Sequence, residues 1–294
     1  AGRIIARQQT PTQPEHGVDA VLDRIAEAVA GVVRATNLSA DTPVGVALPG
    51  PVNPRTGYVG LAPNLGWEDL PIRDLLQEKL QRPVVAGNDV NTAALGEWHY
   101  GVGRGTRHLV FLAVGTGLGS GVVVDGTLLV GHEGLATEAG HMVIALDGPP
   151  CHCGGRGCLE AFVSGWAIEL AAQNLLDSGR PSLLTDLMRQ RGERLSGTLI
   201  TEAAQQGDAV ATEVLARAGH ALGMAVASLV HLFNPEVVAI GGGVVAAGPL
   251  LFDPVRAAVQ AHAMAAFTRH LQIVPSALDQ DAGLLGAAVL ARTP

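Results

Sequence analysis

Between Glu138 and Glu160 the chain reads EAGHMVIALDGPPCHCGGRGCLE, and its three cysteines, Cys151, Cys153 and Cys158, all fall inside that stretch beside His141 and His152. An odd number of cysteines cannot close a disulfide framework, and Cys151 and Cys153, one residue apart, would bridge only with strain. Thiolates on a glycine-rich turn (Gly154, Gly155, Gly157) have metal-ligand spacing instead, and a closed structural zinc site is tetrahedral and needs a fourth ligand. His141 is the expected fourth. His152 lies between two ligand cysteines and should point away from the metal they share, and His132 is a more distant donor. The opposing reading is three reduced thiols without metal. It fits poorly, because free cysteine prefers a core and this segment is rich in glycine and proline.

Other segments carry weaker chemical signals. Asp89, in Gly87-Asn88-Asp89-Val90-Asn91, falls where a strand gives way to a helix. Proteins of the α/β class commonly build active sites at such a point, although a lone Asp there is more often an N-cap. The run Gly115-Thr116-Gly117-Leu118-Gly119-Ser120-Gly121 joins two strands and does not open a helix, which excludes a dinucleotide fingerprint. It makes either a tight turn or a nest of backbone N–H groups for an anion. Gly241-Gly242-Gly243 after a short strand is a weak signal alone, and the loop Ala62 to Trp67 around Asn64 reads as an ordinary turn.

The chain has 294 residues, 48% of them hydrophobic, with a formal net charge of −8. That supports a large core in two domains or one large one, and it argues against a broad nucleic-acid surface. No apolar run reaches the roughly 18 residues of a membrane span, and the opening residues lack the charged and apolar regions of a signal peptide. A cytoplasmic protein is expected. Lys79 is the sole lysine, so neither a Walker-type P-loop nor Schiff-base chemistry has its required residue in place.

Periodicity gives the elements that must position these groups. A strand tail and a Pro-broken loop are expected first, then an amphipathic helix over 15–35, strands over 43–48 and 58–61, a helix over 71–80 and a strand over 83–86. Further strands are expected over 108–114, 122–124 and up to 130, the last two joined by Asp125-Gly126. Helices follow over 161–176, 183–189, 199–206, 208–217 and 221–233, then a strand over 237–240, a helix over 257–269, a strand over 271–275 and a helix over 283–291.

The pattern E-x-G-H (Glu138, Gly140, His141) followed by C-x-C-G-x-x-G-C-x-E (Cys151 to Glu160) resembles the signature of the ROK family, which contains sugar kinases and sugar-responsive repressors. The resemblance runs from the first residues to the last helix. It implies an actin-like ATPase (ribonuclease H-like) two-domain α/β sugar kinase fold with a zinc knuckle. The small domain would cover 1–100 and be completed by a C-terminal helix over 280–294. The large domain would cover 101–279, with a hinge near Gly101 to Gly105. Kinases of this fold begin with a strand and a D-x-G-G-T turn that binds phosphate and helps place magnesium. Neither is present here, and a sequence shortened at its N-terminus is expected.

The resemblance also implies roles. Asp89 would be the catalytic base. Asn64, Asn88, Asp89, Glu138, His141 and Glu160 would contact the sugar. Gly115, Thr116, Gly117 and Gly119 would cradle the phosphates of ATP, and Gly241, Gly242 and Gly243 its adenosine. The metal ligands would be His141, Cys151, Cys153 and Cys158. The implied reaction is Mg2+- and ATP-dependent phosphorylation of a hexose at C6, glucose first, with N-acetylmannosamine, N-acetylglucosamine, mannose and fructose as alternatives. A sugar-sensing regulator is the rival, although no helix-turn-helix precedes the sugar domain in this sequence. A homodimer or homotetramer is implied.

Overall fold

The computed structural model describes residues 2–292, so the last two residues of the expected C-terminal helix lie outside the described residues. In chain order the elements are α1 (Val18–Thr36), β1 (Val44–Leu48), β2 (Val52–Asn53), β3 (Tyr58–Ala62), β4 (Trp67–Leu70), α2 (Ile72–Leu80), β5 (Val84–Asn88) and α3 (Asp89–Tyr100). Next come β6 (Leu109–Val114), β7 (Leu118–Val124), β8 (Thr127–Leu128), α4 (Glu160–Val163), α5 (Gly165–Asp177), α6 (Leu183–Arg191), α7 (Gly197–Gln205) and α8 (Ala209–Phe233). The chain closes with β9 (Val237–Gly241), α9 (Pro249–His262), α10 (Ala265–Thr268), β10 (Gln272–Pro275) and α11 (Ala282–Leu290).

Three sheets form. β1 and β5 pair in parallel, β2-β3-β4 is an antiparallel meander, and a five-stranded sheet runs in the order β10-β9-β6-β7-β8. Within the last, β10, β9 and β6 are parallel, and β6, β7 and β8 are antiparallel. One apolar core, including Val21, Leu22, Trp67, Ile72 and Leu76, lies between α1, α2 and the two smaller sheets. A larger core packs α4 to α9 against the five-stranded sheet, and a third lies between α3 and that sheet's opposite face.

α11 packs on the first part of the chain. Its backbone lies so close to β1 and α3 that a Cβ on Gly45 would overlap the Ala287 carbonyl, and one on Gly286 would overlap the Thr92 carbonyl. Small residues at these crossings are a steric requirement.

The structure departs from the periodicity at four places. Residues 2–13 form no strand, and the first element among the described residues is the 3-10 turn Pro14–His16. The helix expected over 161–176 breaks at Ser164, whose φ/ψ of −68/162 is extended; its neighbour Gly165 donates its N–H to the Gly115 carbonyl at 2.7 Å. The two helices expected over 208–233 are one, because Gly219 lets α8 approach the Leu251 carbonyl of α9 rather than ending the helix. The helix expected over 257–269 starts earlier, at Pro249, and carries Pro254 inside it. α8 is long and apolar enough to cross a membrane by length and composition alone, but it is packed into the larger core.

Candidate active site

Asn88 ends β5 and caps α3. Its Oδ1 accepts from the N–H groups of Val90 and Asn91, both at 3.0 Å, the bonding expected of an N-cap. Its Nδ2 donates to the Gly50 carbonyl at 3.0 Å and to Asp89 Oδ1 at 3.1 Å. Two donors and two acceptors exhaust a carboxamide. Asn88 therefore has no free hydrogen-bonding capacity in this conformation, and what it does is orient Asp89 and hold the Pro49-Gly50 turn. That turn in turn abuts the Leu61 carbonyl near the end of β3, three residues before the exposed Asn64 on the 3-10 turn Pro63–Leu65.

Asp89 opens into a cavity of about 830 Å3 that Gly241, Gly242, Gly243, Ser276, Asp279 and Gln280 also line. The cavity is open to solvent and Asp89 is exposed as a residue, with its carboxyl partly desolvated by the wall around it. Burial raises its pKa above the ordinary 3.8, opposed in part by the Val90 N–H and the Asn88 amide. The triple glycine ends β9. Gly242 has φ +86 and sits against the Val114 carbonyl, where a Cβ would overlap it, so only glycine fits. Ser276, Asp279 and Gln280 carry no motif in the sequence. Their position just past the carboxyl end of β10, beside that of β9, is the only signal that could have found them.

The Gly115–Gly117 turn joins β6 to β7, with Val114 opposite Leu118 and Gly115 N–H bonded to the Gly117 carbonyl at 2.9 Å. Gly115 and Thr116 are exposed, as an anion-binding turn requires. Gly119 differs from expectation. It lies inside β7 facing Val90, where its missing side chain admits α3, so its contribution is packing. Glu160, at the start of α4, accepts the Leu118 N–H through Oε2 at 2.8 Å, which ties the second half of the signature to this turn.

The E-x-G-H segment is a 3-10 turn, Ala139–His141, that follows the exposed Glu138. Ser120 anchors it to β7. The Ser120 hydroxyl bonds the Thr137 carbonyl and accepts the Ala139 N–H at 3.0 Å, and Thr137 Oγ1 donates back to the Ser120 carbonyl at 3.1 Å. Thr137 has φ +69, a costly conformation for a β-branched residue and the kind of local strain that clusters at functional sites. Neither Ser120 nor Thr137 stood out in the sequence.

His141, Cys151, Cys153 and Cys158 converge, with their ligand atoms all within 4.8 Å of one another. The Cys153–Cys158 sulfur separation is 3.7 Å and Cys151 Sγ lies 3.9 Å from His141 Nδ1. Sulfur ligands at about 2.3 Å from a tetrahedral zinc are separated by roughly 3.8 Å, so the cluster fits that ion. Burial pushes the Cys158 thiol up to about 12 and raises Cys151, whereas the Gly155 N–H lowers Cys153. Buried thiols of this kind bind as thiolates only when a cation offsets the charge. His152 turns away and stacks on Trp166 with ring centroids 4.2 Å apart, and the exposed His132 is outside the cluster. Gly157 has φ +71 and packs on the Ala145 carbonyl, which makes it indispensable to the knuckle's path.

The sequence matches the ROK family profile over residues 1–294. It is 39% identical over 289 residues to a glucokinase of Thermotoga maritima, covering 98% of this chain and 90% of that enzyme. A crystal structure of a ROK family glucokinase from Streptomyces griseus, in complex with glucose and AMPPNP, has a TM-score of 0.84 at 34% identity and covers 99% of this chain and 93% of that one. The xylose repressor of Caldicellulosiruptor bescii is 33% identical over 247 residues, which is 84% of this chain but 61% of the repressor. The family pattern is matched from end to end and the fold is shared with a solved kinase, so the chain belongs to the ROK family.

Proposed function

We propose that this protein is an ATP-dependent glucokinase, which transfers the γ-phosphoryl group of Mg-ATP to the C6 hydroxyl of glucose. One observation carries the reading: Asp89 opens into the same cavity as the Gly241–Gly243 turn, so a base and a nucleotide site share one space. The similarity to glucokinases over nearly the full chain supports glucose as the sugar.

In this reading Asp89 accepts the proton of the C6 hydroxyl as that oxygen attacks phosphorus, a contribution of typically ~10² to 10⁴ in rate. Asn88 holds the carboxylate in place. Thr116 and Gly117 present backbone N–H groups to the phosphates, Gly115 holds the turn because its own N–H is bonded to the Gly117 carbonyl, and Gly241 to Gly243 leave room for the nucleoside. Asn64, Glu138, His141 and Glu160 bind sugar hydroxyls. His141 has Nδ1 toward the cysteines, which leaves Nε2 for the sugar. A zinc ion held by His141, Cys151, Cys153 and Cys158 would supply rigidity alone, since four protein ligands leave no open position. Residues 1–100 with α11 act as one domain and 101–279 as the other, and their closure excludes water from the transfer.

The test is ADP release with Mg-ATP and, in turn, glucose, mannose, fructose, N-acetylglucosamine and N-acetylmannosamine. Glucose should give the highest kcat/KM, and Asp89→Asn should keep glucose binding while losing about 10² to 10⁴ in kcat. Binding of a sugar with no turnover by the parent chain would favour the regulator, a reading that the similarity to repressors keeps in play.

A further inference from the structure

Glu97 is a fully buried carboxylate, 0% exposed, that the reaction described above does not use. It lies on α3, eight residues beyond Asp89 and so about 12 Å along the helix from it, too far to touch the reacting atoms. Its partners come from two other parts of the chain. Oε1 accepts the Ser276 hydroxyl at 2.5 Å and the Leu278 N–H at 2.7 Å, and Oε2 accepts the Val102 N–H at 3.1 Å. The Glu97 carbonyl also accepts the N–H groups of Gly101 and Gly103, at 3.1 and 2.9 Å. No Lys, Arg or His forms an ion pair with it among the described residues.

The three groups that bond its side chain are not equivalent in function. Val102 begins the crossover from α3 into β6, where the polypeptide passes from the 1–100 region to the rest. Ser276 lines the 830 Å3 cavity; its N–H is bonded to the Ile240 carbonyl of β9 at 2.8 Å, one residue before the triple glycine. A residue that only needed to fill space here would be apolar, since a buried acid is retained only where its bonds are needed.

We propose that Glu97 is a positioning residue that locks the 276–278 wall of the nucleotide cavity to the base-bearing helix and to the 101–103 crossover, so that ATP affinity depends on it although it touches no substrate. The inference rests on the cavity being the ATP site. Any shift of α3 relative to the five-stranded sheet is carried through one carboxylate to Ser276, and reaches the wall that faces the nucleotide. A glutamine cannot replace it. One of its two terminal atoms becomes an N–H donor and confronts either the Val102 or the Leu278 N–H, both of which can only donate.

The test uses the full chain as parent, Glu97→Gln, Ser276→Ala and the double variant, each measured for kcat, KM for ATP, KM for glucose and melting temperature. Glu97→Gln should raise KM for ATP by roughly tenfold, the effect of about 1.4 kcal/mol, and leave KM for glucose within about twofold. Ser276→Ala should raise KM for ATP by a smaller factor, and the double variant should be no worse than Glu97→Gln, because both act through one contact. A role in stability alone would lower the melting temperature and the active fraction and leave both KM values at the parent's; that result overturns the proposal. If Glu97→Gln does not fold, an unchanged KM for ATP in Ser276→Ala overturns it as well. No turnover by the parent with ATP and any sugar would instead remove the kinase reading and this inference with it.

Discussion

Asn88 is where sequence resemblance and geometry give different answers, and Asn88→Ala separates them. The resemblance makes Asn88 a sugar ligand, whereas the structure commits both its donors and both its acceptors inside the protein. Losing an Asn N-cap costs about 0.5–2 kcal/mol, and leaving the half-buried Gly50 carbonyl without its donor adds about 1 kcal/mol, so a loss of roughly 2 kcal/mol is expected. Unfolding entropy of about 2.1 cal/mol/K per residue over 294 residues converts that to a fall of roughly 3 °C in melting temperature. Calorimetry or thermal shift reads it directly. Asp89 also loses the amide that orients it, so kcat should fall more than glucose affinity. Asn88→Asp is the control: it keeps the cap acceptor, loses the bond to Gly50 and sets a second carboxylate beside Asp89. The acid limb of kcat should then move to higher pH, because a like charge disfavours ionisation of its neighbour. Refutation would be an Asn88→Ala protein that melts with the parent and has a raised KM for glucose alone. That would make the side chain a ligand after all.

The pH dependence of Asp89 follows from the direction of its shift. As the proposed base Asp89 would work ionised, so kcat should be lost as pH falls through a value above the ordinary 3.8. For stability the sign is opposite: Asp89 favours the fold most below 3.8, and that contribution is lost as pH rises through the raised pKa, so Asp89→Asn should melt no lower than the parent at pH 7. Elemental analysis should find one zinc per chain. Removing it, or Cys158→Ser, should unfold the knuckle, since structural zinc supplies on the order of 10–16 kcal/mol; a metal-free chain that melts as the parent does would exclude the site. Gly286→Ala drives a methyl group into the Thr92 carbonyl and should cost about 1–3 kcal/mol by overpacking, with loss of kcat because α3 carries Asp89; unchanged melting would refute that close crossing.

Most elements and the convergence of the Cys–His cluster were legible because their signals are local. Period 3.6 in α1, the strand end at Leu48, and cysteine spacing within a few residues need no tertiary information, whereas β5 runs two residues past its expected end at Ala86. Several misread features depend on distant partners. Ser164 breaks a helix beside the Gly115 carbonyl, and Gly219 sits mid-helix to admit the Leu251 carbonyl. Glu97 looks like an exposed helix acid until β10 places Ser276 against it, and Ser120 looks like one more loop residue until Thr137 folds back onto it. Gly119 was assigned to phosphate because a run of alternating glycines reads alike whether it binds an anion or makes room for a helix. Only Val90, on another element, distinguishes the two.

The placement of the candidate site follows from strand direction more than from any single motif. Asp89 follows β5, Gly241 ends β9 and Ser276 follows β10, so three strands from two sheets, each paired in parallel within its own sheet, deliver their carboxyl ends to one cavity. Two helices fix the relative position of those sheets. α3 lies on β7 through Gly119 and Gly121, and α11 lies on β1 and β5 through Gly45 and Gly87. At each crossing glycine removes the side chain that would hold the layers apart, so the distance between Asp89 and the Gly241–Gly243 turn depends on backbone packing and is poorly compressible. That explains why chemistry assigned to Asp89 should be sensitive to Gly286 and Glu97, neither of which reaches a substrate. The geometry of transfer is set where α3 meets its neighbours.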